Sequence, residues 1–402
     1  MQLYRDWLEG QRGLRFSDYA AMWRWSTTEL SAFWRSIWDF HQIESRTQFE
    51  AVLSDERMPG AEWFKGAEVN YVREVFRHVE AAQAMGVPAI VAEDELGRVR
   101  EVSWVELRRR SVSLALTMRE AGVVRGDRVA AYLPNIPEAV IALLACASLG
   151  AIWTICSPDI GAPAVLDRFR QISPKVLIVI DGVHYAGKAL DRSVAISEMR
   201  QALPSVETLY VVESGLGQID IPGASSFEGA LVRDDAEVAA FEPEWLPFDH
   251  PLWILYSSGT TGLPKAIVHG HGGIIVTTYA GRLHFDLGAS YEPDTFGERF
   301  HWYSATGWVM WNQQVGALLF GTTICLFDGA PSGATQRHDW GTLWAFAARQ
   351  RVTWFGAGAA FYSACRNSRS RHDGLTVAGR GAGVGFGAIC RHQGRRDVVV
   401  QH

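Results

Sequence analysis

The chain has 402 residues, 48% of them hydrophobic and 20% charged, with a formal net charge of −6. That length allows two or three domains and a large core, and the acidic balance offers no field for a polyanion, which argues against nucleic acid as a partner. Five cysteines, Cys146, Cys156, Cys325, Cys365 and Cys390, show neither CxxC nor metal-like spacing, so no metal ligands are assigned and a reducing, cytoplasmic setting is expected.

In chain order, the opening MQLYRDWLEGQRG mixes charges of both signs without an apolar core and does not read as a secretory signal. Ser26 and Glu29 form a capping-box pattern ahead of Leu30, Phe33, Trp34, Ile37 and Trp38, a stripe at helical spacing that predicts an amphipathic helix docked on a larger body. Residues 89–102 read as a hairpin turning at Gly97, and a second capping box at Ser103 and Glu106 opens a helix ending near Gly122. Strand-like runs follow at 128–133, 151–155, 175–180 and 207–212, with intervals long enough for crossover helices, which predicts a largely parallel α/β sheet. The uncharged stretch 139–156 has the length of a membrane span. Pro137 and Glu138 instead start a helix there, Gly150 ends it, and 151–155 continues as a buried strand, so no span is expected. The acidic, Pro/Gly-punctuated stretch 213–250 is read as a surface connection between two subdomains.

The run YSSGTTGLPKAIVH, residues 256–269, joins one short apolar strand, 253–256, to another, 266–269. Gly259 and Gly262 free the backbone to turn. Its N–H groups can form an anion-binding concavity, Ser257, Ser258, Thr260 and Thr261 add hydroxyl donors, and Lys265 supplies a point charge suited to an oligophosphate such as ATP. A Walker A loop is excluded because Leu263 and Pro264 separate Gly262 from Lys265; an ordinary Ser/Gly-rich turn stays open on composition. His269, just past the loop, is read as a structural strand histidine rather than a catalyst. A second dense run, FHWYSATGWVMWN at 300–312, offers Trp302, Trp308 and Trp311 to wall an apolar pocket with Met310 as filler, or to pack a core.

The ordered run SSGTTGLPK resembles the phosphate-loop signature of the adenylate-forming acyl-CoA synthetase superfamily. WRWSTTELSAFWRSIWDF, with Asn70 and Tyr71, is similar to the N-terminal extension of its short-chain members, and GAIWTICSPDIG, VLDRFRQISPKVLI and TGWVMWN resemble acetoacetyl-CoA synthetases more than acetyl-CoA synthetases. The resemblance covers 17 to about 365. It implies an α/β adenylate-forming large-domain fold, mostly parallel sheets flanked by helices and incomplete at the carboxyl end. The implied domains are an extension at 1–88, a partial AMP-binding domain at 89–365 and a tail at 366–402. It further implies a soluble cytoplasmic acid-thiol ligase that uses ATP, Mg2+ and coenzyme A on a short-chain keto acid through an acyl-adenylate. Acetate or propionate is the alternative substrate, and a non-catalytic remnant that binds nucleotide is the alternative function. Ser257, Ser258, Gly259, Thr260, Thr261, Gly262 and Lys265 would bind nucleotide, Lys265 would be catalytic, and Trp308, Val309 and Met310 would line the acyl pocket. Asp167 and Arg168 are expected to be structural.

After Cys365 the family-like sequence stops. The remaining 37 residues hold seven arginines, seven glycines, two aspartates and no lysine, a composition that resembles a frame-shifted reading of a GC-rich gene. No helix or strand period is read there, and the tail is not expected to join a core. GVGFGA at 383–388 fits a G-x-G-x-x-A pattern, but lacks the strand-helix-strand context of a dinucleotide site.

Overall fold

The structure, a computed structural model, describes residues 1–257, 262–293, 295, 297–334, 339–368, 388–393 and 397–401. Two seven-stranded sheets organise it. In the first, the spatial order is Ala224–Ser226, Thr208–Val212, Val176–Ile180, Arg128–Tyr132, Ile152–Cys156, Pro251–Ser257 and Lys265–Gly270. Every neighbouring pair is parallel except the last, an antiparallel hairpin. The predicted parallel sheet is therefore present. The second sheet has a parallel centre of Trp354–Ala357, Arg299–Trp302, Thr323–Asp328 and Pro88–Asp94, with antiparallel strands on both flanks.

Local signals account for much of this. Ser103 accepts from the Glu106 N–H and caps the helix Trp104–Glu120, as its capping box predicts. Gly97, at φ +79°, turns the hairpin between Pro88–Asp94 and Val99–Ser103. The helix Pro137–Ser148 is buried at every position, and Gly150 then takes a left-handed turn (φ +67°) into the strand Ile152–Cys156. A Cβ at Gly150 would lie 2.8 Å from the Leu246 side chain, so that turn needs glycine on two counts. Among the described residues no helix is long and apolar enough to cross a membrane. A single core cluster takes Val129 and Trp153 from the first sheet together with Ile90, Phe300 and Leu326 from the second.

Three expectations are corrected. Ser26 caps nothing: it lies inside the helix Tyr19–Thr28, where its hydroxyl donates to the Trp23 carbonyl (2.8 Å). The helix Leu30–His41 begins at Glu29 without a side-chain cap, and is held by its apolar face, Ile37 and Trp38 being buried and Trp38 stacking on Phe64 at 4.7 Å. The stretch 213–250 is no loose surface connection. It contributes the edge strand Ala224–Ser226 and buries Phe227, Leu231, Val238, Phe241, Leu246 and Phe248. Arg108 and Arg109 secure it by donating to the carbonyls of Val238, Ala239, Phe241, Leu231 and Arg233. Finally, the tail carries two strands, Ala388–Gln393 on Trp354–Ala357 and Asp397–Gln401 on the first of these. The β-branched run at 398–400 suits that state, and the free edge of Trp354–Ala357 supplies the template. Of GVGFGA only Ala388 falls within the described residues.

Asn70, read as part of the N-terminal resemblance, ties the extension to the body. Its side chain accepts from the Val72 N–H to cap Tyr71–Phe76 and donates to the carbonyls of Ala147 (3.1 Å) and Glu244 (2.9 Å). The next residue, Tyr71, donates its N–H to Nδ1 of the fully buried His271 (3.1 Å).

Candidate functional site

In an open α/β sheet, ligands bind beyond the carboxyl ends of the strands. The strand Pro251–Ser257 ends there, and the hairpin register sets Ser257 directly opposite Lys265. The two ends of the Ser/Gly loop are thus held one strand spacing apart, with the exposed Lys265 at its mouth. Gly262 has φ +149° and open space around it, as a turning glycine requires. Ser258, Gly259, Thr260 and Thr261 lie outside the described residues. His269 pairs with Trp253 on the edge strand; its buried Nδ1 has no hydrogen-bond partner, and burial lowers its pKa, as for a neutral structural histidine.

Two anchors of the loop were not foreseen. Tyr256 donates its hydroxyl to the Arg168 carbonyl (2.9 Å), with the Arg168 guanidinium 5.9 Å from its ring centre. Gln171 donates to the Pro264 carbonyl (2.9 Å). The end of the helix Ala162–Phe169 and the turn after it therefore grip the loop on both sides. Nothing in the local sequence distinguishes Gln171 from a solvated polar residue.

The aromatic run divides. Trp302 and Trp311 are buried, Trp302 lying 5.6 Å from Trp354 and Trp311 donating its indole N–H to Asn135 Oδ1 (3.0 Å). Trp308 precedes the helix Val309–Gly316 and is exposed, as is Val309, while Met310 is partly buried against the core. Thr306 fixes this turn by donating to the Leu133 carbonyl (2.8 Å), and Gly307 backs onto Ile155 and Cys156. Trp308 to Met310 consequently stand at the carboxyl end of the sheet, beside the strand that feeds the loop. Trp308 has 60% of its surface exposed.

Between the carboxyl ends of the two sheets lies a cleft lined by Asn135, Asp159, His184, Arg192, Tyr303 and Asp328. It adjoins a cavity of about 490 Å³ reached by Arg100 and Glu138. Tyr132 donates its hydroxyl to the carbonyls of Pro158 (3.1 Å) and Ile160 (3.0 Å), fixing the turn whose Pro158 and Asp159 line the cleft. The Asp328 carboxyl is pushed up to about 7 by burial first and by the neighbouring charges of Asp94 and Glu95, with Arg100 opposing. Asp328 had a legible signal, a lone carboxylate closing the apolar run TICLF at a strand's carboxyl end. Arg100 is engaged in a two-pronged pair with Glu138 (2.7 and 3.0 Å). Among the described residues no group of three or more His, Cys, Asp or Glu could hold a metal ion.

Residues 77–384 match the model of the AMP-binding enzyme family, and 19–75 match the acetyl-coenzyme A synthetase N-terminus. The chain belongs to the AMP-binding enzyme family, with the N-terminal region of its acetyl-CoA-synthetase-like members. Within it, the chain is similar to the acetoacetyl-coenzyme A synthetase of Rhizobium meliloti, 36% identical over 91% of this chain and 54% of that protein. It is also similar to the acetoacetyl-CoA synthetase of Rattus norvegicus, 34% identical over 87% of this chain and 52% of that protein. Its fold matches the solved acetoacetyl-CoA synthetase of Streptomyces lividans with a TM-score of 0.83 at 42% identity, covering 91% of this chain and 54% of that one. The chain spans about half the length of the relatives it matches.

Proposed function

We propose that this chain supplies the triphosphate loop and acyl-selecting segment of an acid-thiol ligase that converts ATP, acetoacetate and coenzyme A into acetoacetyl-CoA, AMP and diphosphate. The observation that carries this reading is the loop mouth, where Ser257 and Lys265 face each other across a hairpin at the carboxyl end of a parallel sheet. Ser257, Ser258, Thr260 and Thr261 would donate to phosphate oxygens, while Gly259 and Gly262 let the backbone approach them. Lys265 would balance the charge that builds on departing diphosphate. A carboxylate oxygen of the acid attacks the α-phosphorus and the bond to diphosphate breaks. The coenzyme A sulfur then attacks the acyl carbon, losing its proton, and AMP leaves. Magnesium would arrive on the triphosphate, and among the described residues no group of three or more His, Cys, Asp or Glu could hold it. Trp308, Val309 and Met310 would line the acyl pocket. The working division is an extension at 1–88, a partial AMP-binding domain at 89–365 and a tail at 366–402, in a cytoplasmic protein.

A second reading, nucleotide binding without turnover by this chain alone, is favoured by the unmatched half of its relatives. A fusion to the second half of the Streptomyces lividans relative tests both in a diphosphate-release assay with coenzyme A and magnesium. The expected result is turnover by the fusion with acetoacetate preferred over acetate, and at least about a thousandfold less by the chain alone, each lost transition-state contact being worth a few kcal/mol. An acetate preference contradicts the substrate; robust turnover by the unfused chain contradicts its dependence on the second half.

A further inference from the structure

Lys265 enters its strand from a stretch that does little to hold itself. Gly262 stands in open space, the Leu263 side chain is 62% exposed, and Pro264 has no N–H to donate. Among the described residues, Gly262, Leu263 and Pro264 share one hydrogen bond, from Gln171 Nε2 to the Pro264 carbonyl (2.9 Å). On the other arm of the loop, Tyr256 donates its hydroxyl to the Arg168 carbonyl (2.9 Å). Both contacts come from the end of the helix Ala162–Phe169 and the turn that follows it. That platform is itself fixed. Val165, Leu166 and Phe169 bury the helix in a core with Leu177 and Val179 of the first sheet, and just beyond the turn Arg128 donates to the carbonyls of Ile172 (2.8 Å) and Ser173 (3.0 Å). The second hydrogen of the Gln171 amide goes to the Asp167 carbonyl (2.6 Å), which ties the side chain back to its own helix.

We propose that this turn is a two-point clamp on the loop and that Gln171 is a positioning residue for Lys265, a role that rests on the loop being the triphosphate site. The peptide between Pro264 and Lys265 is planar, so the carbonyl that Gln171 holds and the Lys265 N–H move as one body. Holding that carbonyl aims the Cα from which the lysine side chain departs. A lysine is a point charge on a flexible stem and gives up rotamer freedom when it meets a phosphate; a fixed origin lowers that cost, as preorganisation does elsewhere. Tyr256 does the same for the opposite arm, where the strand Pro251–Ser257 runs into the loop. Gln171 thus acts through Lys265 and not on the nucleotide.

Calorimetric titration of the full-length chain with ATP and magnesium tests this in wild type, Gln171→Met, Lys265→Ala and the double variant. Methionine keeps the length of glutamine, adds no charge and lacks the donor. Gln171→Met should weaken ATP binding by about fivefold, the size of one net hydrogen bond. In the Lys265→Ala background the same change should weaken it by less than about twofold, because the effect passes through the lysine. The melting temperature should not change, since position 171 is exposed, and Gln201→Met, at an exposed position on another helix, should leave affinity intact. In the ligand-free chain, amide exchange across 262–266 should quicken by about fivefold or more in Gln171→Met, a readout that needs no nucleotide. Exchange that does not quicken overturns the proposal, as does a loss of affinity that is equal with and without Lys265. If Lys265→Ala weakens binding while Gln171→Met matches wild type, the loop keeps its triphosphate role and the clamp falls. If the wild type binds no ATP, the triphosphate reading falls and the clamp with it.

Discussion

Two strands of the first sheet, separated by a single neighbour, meet opposite fates. Ile152–Cys156 reads IWTIC and is buried almost throughout, whereas Lys265–Gly270 reads KAIVHG and leaves its first four residues exposed. Apolar residues therefore announce that a strand can be covered, not that it is. The helix Pro137–Ser148 and the parallel neighbours close over the first strand. At the second, the same chemistry stays exposed beside the loop proposed to bind ATP.

The widest separation should appear in stability. Trp153→Ala, in the covered strand, should cost about 3–5 kcal/mol through lost burial and a residual cavity, whereas Val268→Ala should stay within about 0.5 kcal/mol; denaturant melts of both decide it. Equal losses would mean that the edge strand is packed. Asn70→Ala should cost about 2 kcal/mol, since it removes a helix cap and leaves the Ala147 and Glu244 carbonyls without that donor. Asn70→Asp, which keeps the cap but sets a buried carboxyl oxygen against the Ala147 and Glu244 carbonyls, should cost at least as much as Asn70→Ala.

A smaller effect is expected in the pH dependence. Asp328 has its pKa raised from 3.8 to about 7, so the folded state holds that proton more tightly than the unfolded chain. Its contribution to stability is complete below about 3.8 and is lost as pH rises through about 7. The half-buried His41 and the buried His271, lowered to about 3, act in the opposite sense, since their contribution is present above 6.5 and lost as pH falls. Asp328→Asn isolates the carboxyl: the stability of the wild type relative to this variant should decline between pH 4 and 7, as measured by melts across that range. A flat difference would remove Asp328 from the titrating groups.

How much of this was legible follows from where the information lies. The loop was readable because its chemistry is local: hydroxyls, glycines and one lysine in a fixed order between two apolar runs. Ser103 was readable for the same reason, its partner being three residues away. Ser26 misled because an identical spacing fell inside a helix, where the hydroxyl bonds backward to Trp23. Gln171 and Arg168 were out of reach because their bonds to Pro264 and Tyr256 span 93 and 88 residues. The connection 213–250 was misread as surface because its acidic composition concealed six widely spaced anchors that only tertiary packing brings together. Exposure at Ile267, Val268 and Trp308 could not be read at all, since it depends on what covers a residue rather than on the residue itself.

Isothermal titration of the full-length chain with ATP and magnesium, in wild type and Lys265→Ala, tests the central claim most directly. The account predicts weak ATP binding by the wild type, weakened further by about tenfold or more without the lysine, as expected for loss of a charge-assisted phosphate contact. Tight binding that survives Lys265→Ala would contradict it.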